Sequence, residues 1–460
     1  MTDFRETLAT VDRQGNRRWV YPAIVWGYFF QRRTIVAILL LAFYLLMPWI
    51  SIDGKQAILL DIAQRKFVFF GATFWATDTK FLMLLLGFMA FSLFFWTALF
   101  GRVWCGWACP ETIFLEFLFR PIETLIEGNA AARRRLDAQP WNLQKITKKT
   151  LKIGVFALLS WGITSTALAY IVGREPLLHM MTRSPFENWT PFLFTLVVSG
   201  ITFFQFGWFR EQFCTIACPY ARFQSVLLDP HSLLVGYDKT RGEPRGKLER
   251  GPEQHRGDCV DCGLCVRVCP TGIDIRNGLQ LECIQCTACA DACDSVMVKI
   301  GRPTGLVRYD NDAGLAGKKS PLLRPRVVIY AAILAVYLCI FSYALSTREL
   351  SEFQFIRPRG DTPFTILADG RISNHMHVHI SNKSNVEESY SLDVDRSTGV
   401  EVITVGGALK IAPGQDMSFP VFFDFPQSLL HNGRLSVKAS VTSDRGFHVE
   451  QAVSLLGPNE

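Results

Sequence analysis

Two cysteine-rich runs constrain the fold of this chain more than any other feature. Thiols that bind one metal centre must lie close together, and this restricts the conformation of the backbone between them. Eight of the thirteen cysteines lie between residues 259 and 293. Each run has the spacing Cys-x2-Cys-x2-Cys-x3-Cys. This is the bacterial pattern for two [4Fe-4S] clusters, in which the fourth cysteine of each run ligates the cluster of the other run.

The spacing therefore predicts two sets of four cluster ligands. The first cluster is predicted to be held by Cys259, Cys262, Cys265 and Cys293. The second is predicted to be held by Cys269, Cys283, Cys286 and Cys289. Structural zinc is disfavoured because zinc sites use separated C-x2-C pairs, and disulfides are disfavoured because they need an oxidising compartment.

The two runs differ after their last cysteine, where Pro270 follows the first run and Asp294 follows the second. All four ligands of the second cluster are kept. We therefore expect Asp294 to alter the solvation and the reduction potential of the cluster rather than its binding.

Five uncharged or nearly uncharged apolar runs predict a membrane protein. Charged residues make up only 19 % of the chain, against about 25 % in typical soluble domains. Each run is close to the roughly 20 residues that a helix needs to cross a bilayer. A single run could be a buried globular helix, but five favour a five-helix transmembrane bundle. The runs cover 34–50, 81–100, 153–172, 190–209 and 327–346.

The distribution of Lys and Arg predicts the orientation of these helices. Segments 1–33, 101–152 and 210–326 carry 6, 9 and 17 basic residues, whereas loops 51–80 and 173–189 carry 4 and 2. Basic residues accumulate on the cytoplasmic side. The N-terminal segment 1–33 is therefore predicted to be cytoplasmic and the C-terminus to lie outside, and the net charge of +7 reflects topology rather than nucleic-acid binding.

The soluble parts of the chain divide into two predicted domains. Residues 234–258 are rich in Gly, Pro and charge and are typical of a linker, which leads into a two-cluster ferredoxin-type domain over 259–310. Residues 347–460 contain no cysteine and show short alternating apolar runs broken by Gly-containing turns. That pattern predicts an antiparallel all-β sandwich of about a hundred residues beyond the fifth helix.

Two further cysteine pairs follow the second and fourth apolar runs, each in the motif C-x3-C-P. Their similar flanks indicate an internal repeat of 81–120 and 190–229 within the four-helix region 34–233. Residues four apart share one helix face, and a proline disturbs the helix after them. Copper(I), an additional iron–sulfur cluster, a redox dithiol and simple packing all remain open for these sulfurs. The pairs are Cys105 with Cys109, and Cys214 with Cys218.

Other residues are weaker candidates for metal chemistry. The segment His179-Met180-Met181 lies between the third and fourth apolar runs, and strand alternation would put His375, His377 and His379 on one face. Either group could bind copper, or could simply face solvent and pack. Cys339, within the fifth run, is expected to be a packing residue. Three aromatic residues beside the C-x3-C-P motifs are expected to be either interfacial anchors or electron conduits: Trp104, Trp107 and Phe213.

Taken together, these motifs resemble the CcoG/FixG/RdxA family of cytochrome oxidase accessory proteins. The resemblance rests on R-G-D-C-V-D-C-G-L-C-V-R-V-C-P-T-G-I-D-I-R-N-G, on W-C-G-W-A-C-P-E-T and on F-C-T-I-A-C-P-Y-A-R-F-Q, and it covers nearly the whole chain. It implies an immunoglobulin-like C-terminal domain in the periplasm and a bacterial inner-membrane location.

The resemblance also implies a function in the assembly of cbb3-type cytochrome c oxidase, as a cupric reductase that supplies copper(I). On this reading the four C-x3-C-P cysteines are the candidate catalytic and copper-binding residues. The implied partners are the oxidase, copper chaperones and a cytoplasmic electron donor of unknown identity; self-association is left open. The competing hypotheses are an electron-donating subunit of a nitrate or nitrous oxide reductase and a non-redox assembly scaffold.

Overall fold

The structure is a computed structural model of the whole chain, and two compact units make it up, Met1–Phe341 and Ser342–Glu460. It describes residues 8–12, 14–63, 66–75, 79–247, 256–318, 320–321, 323–347, 351–358, 362–384, 386–395, 398–404 and 409–458.

The first unit is mainly helical. Its α-helices are α1 (Tyr28–Leu46), α2 (Thr79–Phe100), α3 (Val103–Trp107), α4 (Pro110–Phe114), α5 (Arg120–Glu127), α6 (Ala130–Ala138), α7 (Leu143–Val172), α8 (Arg174–Thr182), α9 (Trp189–Phe204), α10 (Pro219–Leu227), α11 (Lys239–Gly242), α12 (Leu264–Arg267), α13 (Ala288–Lys299), α14 (Asp312–Leu315) and α15 (Pro325–Ser346). Turns of π-helix cover Leu115–Phe119, Gln205–Phe209 and Phe213–Ala217.

All five predicted spans are confirmed as apolar helices of membrane-crossing length. The helical segments are Tyr28–Trp49, Lys80–Phe100, Leu143–Val172, Trp189–Phe209 and Pro325–Ser346. The first and third begin earlier than predicted, because basic side chains at the polar ends of these helices are compatible with helix although they interrupt the apolar pattern.

Polar and aromatic contacts hold the long helices together. The Tyr44 hydroxyl of α1 donates a 2.7 Å hydrogen bond to the Ile163 carbonyl of α7. In α2 and α15, the rings of Phe91 and Tyr337 lie 5.4 Å apart. Between α1 and α2, the predicted external loop folds into two small antiparallel sheets, of two and three strands, that the sequence analysis did not anticipate. Its strands are β1 (Ser51–Ile52), β2 (Lys55–Gln56), β3 (Ile58–Asp61), β4 (Lys66–Phe69) and β5 (Ala72–Trp75).

The linker predicted over 234–258 does not hold for its first half. Leu234–Tyr237 forms strand β6, which pairs antiparallel with β7 (Val307–Asp310). These strands are part of the core of the cluster domain, where Val235 and Tyr237 are buried. The stretch was interpreted as a linker because it is rich in Gly, Pro and charged residues, although its first four residues form a strand. Residues 248–255 lie outside the described residues.

The second unit is the predicted β-sandwich. One sheet has the order β12-β14-β10-β8, with β9 also paired to β10, and the other has the order β13-β11-β15-β16. Alternate residues such as Val378, Phe423 and Val441 are fully buried between the sheets. The strands are β8 (Ser351–Ile356), β9 (Thr365–Ile366), β10 (Arg371–Asn382), β11 (Glu388–Val394), β12 (Glu401–Thr404), β13 (Leu409–Ile411), β14 (Asp416–Pro426), β15 (Arg434–Ser443) and β16 (His448–Leu456).

Candidate functional site

The eight cysteines of the two runs line two neighbouring cavities in the first unit. One cavity, of about 380 Å³ with its mouth counted, is lined by Cys259, Cys262, Cys265 and Cys293. The other, of about 340 Å³, is lined by Cys269, Cys283, Cys286 and Cys289, and Cys265 lines it as well. These groupings are the two ligand sets predicted from the spacing.

The backbone of the two runs repeats the same turn. Asp261 and Gln285, each just before the second cysteine of its run, have φ values of +50° and +55°. Gly263 and Thr287, just after it, have φ values of +64° and +60°. Such left-handed residues turn backbone N–H groups towards a common centre. Because a β-branched residue rarely adopts this conformation, Thr287 marks a site where function outweighs local preference.

The thiols suit iron chemically. Burial raises the pKa of Cys283 to about 12 and that of Cys286 to about 11, so both are protonated at neutral pH unless a cation takes the place of the proton. Within the described residues, no three His, Cys, Asp or Glu side chains are close enough to hold one metal ion. Thiols spread around a cavity in this way fit the corners of a cluster better than they fit a single ion.

Helix α13 explains why Asp294 replaces the proline of the first run. The first run ends in the short helix α12, whereas the second continues as a helix to Lys299. A proline inside α13 would remove a helical hydrogen bond. Asp294 instead accepts a 2.7 Å hydrogen bond from the Gly305 amide and so fixes the chain that returns to β7.

The two C-x3-C-P motifs have matching backbone geometry, in line with the internal repeat. The amide of Cys109 donates to the Trp104 carbonyl at 2.9 Å, and that of Cys218 donates to the Phe213 carbonyl at 2.8 Å. Each second cysteine is the N-cap of a new helix whose first residue is proline. The expectation that each pair lies on one continuous helix face is therefore wrong: the helix breaks at the second cysteine, before the proline, because proline is favoured at the first position of a helix.

All four thiols of these motifs lie within electrostatic range of one another. Cys105 interacts with Cys109 and Cys218, and Cys214 interacts with the other three. Burial raises the pKa of Cys105 to about 12 and also raises that of Cys214. The Cys105 sulfur lies 3.3 Å from the Oε1 atom of Gln224, which is fully buried. The fold thus gathers two pairs that are about a hundred residues apart in sequence into one thiol group, in which no three of the four described sulfurs are close enough to hold a single metal ion.

Backbone contact joins this thiol group to the second cluster cavity. A Cβ atom on Gly106 would lie 2.6 Å from the Ile284 carbonyl oxygen and 2.8 Å from the Cys286 amide nitrogen. The motif therefore packs against the second cysteine run at a distance that only glycine permits. Both sides of the contact are buried.

Several side chains hold this contact in place, and among them the sequence analysis had named only Trp107. Gln285 accepts a hydrogen bond from the Arg102 amide at 2.9 Å. The Arg102 side chain donates to the carbonyl of Cys283, and the Trp107 indole donates to the Tyr309 hydroxyl at 2.8 Å. Arg33 donates to the Gly106 carbonyl at 2.9 Å. Arg102 and Trp107 could have been found from the sequence, because they lie next to a cysteine motif. The sequence around Arg33 contains no such motif.

The histidine row lies on one face of β10, as predicted. Its members alternate with the buried Met376, Val378 and Ile380. They make contacts within their own sheet: His375 stacks on Phe422 with ring centres 4.8 Å apart, and His379 lies 3.4 Å from the Asp416 carboxylate. All three histidines are among the described residues, and the three of them do not form a metal site.

The remaining candidates differ from expectation in their surroundings. His179-Met180-Met181 belongs to helix α8 rather than to a loop, and both methionines line a cavity with α7 and α9. Cys339 is exposed on α15, so it is not the packing residue that was expected. Trp104 is 55 % exposed, which suits an interfacial anchor.

Comparison with known sequences decides the family. RdxA of Cereibacter sphaeroides is 37 % identical over 406 residues, which cover 85 % of each chain. FixG of Rhizobium meliloti is 33 % identical over 461 residues, which cover 89 % of this chain and 87 % of the relative. The chain belongs to the FixG/RdxA family.

Family descriptions of individual regions agree with the fold. Residues 209–312 match a 4Fe-4S dicluster domain, residues 81–129 match a 4Fe-4S binding domain, and residues 341–458 match the IG-like fold at the C-terminus of FixG. A crystal structure of a FixG-related protein from Vibrio parahaemolyticus aligns with 24 % of this chain and 97 % of its own, at 17 % identity and a TM-score of 0.21. This FixG/RdxA protein is thus a multi-pass membrane iron–sulfur protein of electron transfer with an immunoglobulin-like domain.

Proposed function

We propose that this FixG/RdxA protein is a cupric reductase that acts in the assembly of cbb3-type cytochrome c oxidase. Cu(II) is its substrate, and the four C-x3-C-P thiols are the site where it gains one electron and becomes Cu(I). The observation that carries this proposal is the buried contact between Gly106 and Cys286. This contact supports the proposal because it brings the backbone of the first C-x3-C-P motif against the second cysteine run.

The chain's own residues prepare this interface for electron transfer. When bound, the two [4Fe-4S] clusters supply single electrons. Arg102, Gln285 and Tyr309 hold the first C-x3-C-P motif in place, and their hydrogen bonds satisfy backbone groups that are buried away from water. Soft thiolates favour Cu(I) over Cu(II), so the ligands themselves promote the reduction.

The proposal includes a topology and a set of partners. The basic-residue distribution supports a cytoplasmic face for the cluster domain and the thiol group, in the bacterial inner membrane. The immunoglobulin-like domain would then be periplasmic, where it could dock the oxidase or a copper chaperone. Copper(I) made at the thiol group would leave to a copper chaperone on the same, cytoplasmic side of the membrane.

Copper reduction by pre-reduced protein tests the proposal directly. The purified protein with intact clusters is reduced, freed of reductant, and mixed anaerobically with Cu(II) and a Cu(I)-specific chelator. We expect wild type to form up to two Cu(I) per chain as its two clusters are reoxidised, because each cluster supplies one electron. A Cys105→Ser, Cys109→Ser double variant should react at least tenfold more slowly with unchanged iron content.

A matched control comes from the remaining cysteine outside the cluster runs. Cys339→Ser changes an exposed thiol on α15 and should react like wild type. Wild-type protein that keeps both clusters but forms no Cu(I) would overturn the proposal. So would a double variant that reduces Cu(II) at the wild-type rate.

A further inference from the structure

The two C-x3-C-P motifs carry residues of opposite charge at the same position of the repeat. Aligning the two copies pairs Arg102 with Glu211, each three residues before the first cysteine of its motif. Arg102 attaches the first motif to the second cysteine run, because its side chain donates a hydrogen bond to the Cys283 carbonyl. A carboxylate cannot donate to a carbonyl, so Glu211 needs another residue to make an equivalent attachment.

Arg120 makes this connection between the second motif and the second cluster position. Its Nη2 atom donates to Glu211 Oε2 at 3.0 Å and to the Pro270 carbonyl at 3.3 Å. Pro270 directly follows Cys269, which is a predicted ligand of the second cluster and lines its cavity. Hydrogen bonds therefore run from the segment that precedes Cys214 to the backbone beside a ligand of the second cluster.

This connection is buried, and both of its charged groups have further partners. Arg120 and Glu211 are 4 % and 3 % exposed. The other carboxylate oxygen of Glu211 accepts from Arg17 Nη2 at 3.0 Å, and Arg120 also pairs with Glu116. The attraction of buried ions is largely offset by the cost of removing them from water. What such a pair provides is therefore a fixed position for the segments that carry it.

The residue before Glu211 has a backbone conformation that its type disfavours. Arg210 has a φ value of +49°, whereas the aligned residue of the first copy is Gly101, with a φ value of +57°. The Arg210 side chain donates to both carboxylate oxygens of Glu123, at 3.2 and 2.9 Å. Left-handed residues other than glycine persist where the surrounding structure imposes them. The surrounding ion pairs, rather than local preference, thus fix the segment that leads to Cys214.

We propose that Arg120 and Glu211 are positioning residues, which hold the second C-x3-C-P motif against the second cluster position. In this role neither residue binds copper or exchanges electrons. Both motifs are then attached to the same cluster position, the first beside Cys283 and the second beside Cys269. The inference deepens the proposed function, and it rests on that function only for copper as the electron acceptor.

The first test measures reduction potentials in full-length protein with both clusters and without copper. The Arg120 charge acts on Cys269, so Arg120→Gln should lower the reduction potential of the second cluster. Glu211→Gln removes the charge that offsets Arg120 and should raise the same potential. A general loss of stability would not reverse its effect with the sign of the charge removed. Redox titration monitored by EPR should show no shift for the first cluster in either variant.

The second test, also without copper, measures the position of the second motif. Native protein is treated with N-ethylmaleimide, and mass spectrometry follows the labelling of each thiol. We expect Arg120→Gln to label Cys214 at least tenfold faster than wild type, because the second motif has lost its attachment. Labelling of Cys105 should stay within twofold of wild type, because Arg102 still holds the first motif.

A double variant separates position from driving force in the copper reaction. In Arg120→Gln, Glu211→Gln the two lost charges offset each other, so the second-cluster potential should stay near that of wild type. Cu(I) formation by the pre-reduced double variant should nevertheless be at least tenfold slower, with full iron content.

Glu127→Gln is the matched control. Glu127 is a buried carboxylate, 2 % exposed, and it pairs with Lys149 and Lys152 of α7. Its replacement should leave both potentials unchanged. The rates of thiol labelling and of Cu(I) formation should stay within twofold of wild type.

Several outcomes would overturn the inference: shifts of the second-cluster potential in the same direction for Arg120→Gln and Glu211→Gln, no shift in either, or unchanged labelling of Cys214 in Arg120→Gln. A double variant that forms Cu(I) at the wild-type rate would also overturn it. If Arg120→Gln loses its clusters, the near-isosteric Glu211→Gln decides alone, by a raised or an unchanged second-cluster potential. Wild-type protein that forms no Cu(I), while the copper-free results hold, would overturn only the proposed function.

Discussion

The two cluster cavities have the same ligand spacing and the same backbone turns, but opposite surroundings. Cys262 of the first cavity is exposed, whereas Cys283 and Cys286 of the second are each 7 % exposed. The first cavity is bordered by residues of its own domain, such as Tyr237 and Arg276. The second is also lined by residues of this domain, but its cysteine run contacts Arg102 and Gly106, which lie just beyond the second membrane helix.

This difference shows that two cluster positions with the same repeated sequence can have different neighbours in the fold. Arg102 and Gly106, just after the second span, contact the second cysteine run, and within the described part of the chain no hydrogen bond joins Arg102 to the first run. Cys286 of the second run lines a cavity at the start of α1 and also contacts the backbone at Gly106. The second position therefore adjoins the membrane region, whereas a cysteine of the first, Cys262, is exposed to solvent.

The largest expected effect comes from removing one ligand from each position. Cys283→Ser and Cys262→Ser should each lower the iron content from about eight to about four atoms per chain, with loss of one EPR signal. Cys283→Ser should also lower the thermal midpoint in detergent more, because it leaves an empty cavity in the packed interface. Equal midpoints for the two variants would show that the two positions do not differ in this way.

A smaller effect is expected from one added methyl group at the contact between the regions. Gly106→Ala places a Cβ atom 2.6 Å from the Ile284 carbonyl oxygen, so the two backbones must separate. Such overpacking costs about 1–3 kcal/mol. We expect at least tenfold slower Cu(I) formation by pre-reduced protein, with both EPR signals kept.

Gly154→Ala is the matched control for this substitution. Position 154 also lies in a helix, but nothing is within 4 Å of its added Cβ atom. It should leave the rate of Cu(I) formation within twofold of wild type. If Gly106→Ala also reacts at the wild-type rate, the close contact between Gly106 and the second cysteine run is not needed for Cu(I) formation.

The smallest expected effect is on reduction potential. The Arg33 charge acts on Cys286, and its loss should destabilise the more negative, reduced state of the second cluster. One partly screened charge is worth about 1 kcal/mol, so Arg33→Gln should lower that potential by about 40 mV. Arg32→Gln, at an exposed neighbouring position, is the control. Redox titration monitored by EPR should show no shift for the first cluster, and equal shifts of both would contradict the comparison.

The sequence by itself determined the parts whose physics is local. Ligand spacing within each run limits which sulfurs can surround one cluster, so the two predicted sets reappear as the linings of two cavities. Apolar runs of bilayer length must form helices, because no water satisfies their backbone groups in lipid. The three histidines of β10 share one face because successive residues of a strand point to opposite sides of the sheet.

Only the tertiary structure decided how these parts meet. The contact of Gly106 with Cys286 and the grouping of Cys105 with Cys214 join residues that are remote in sequence. Arg33, Arg120 and Arg133 line one cavity but come from α1, α5 and α6, and no local pattern relates them. Spacing and periodicity report only on neighbours along the chain, whereas the electron path depends on which helix ends pack against which cysteine run.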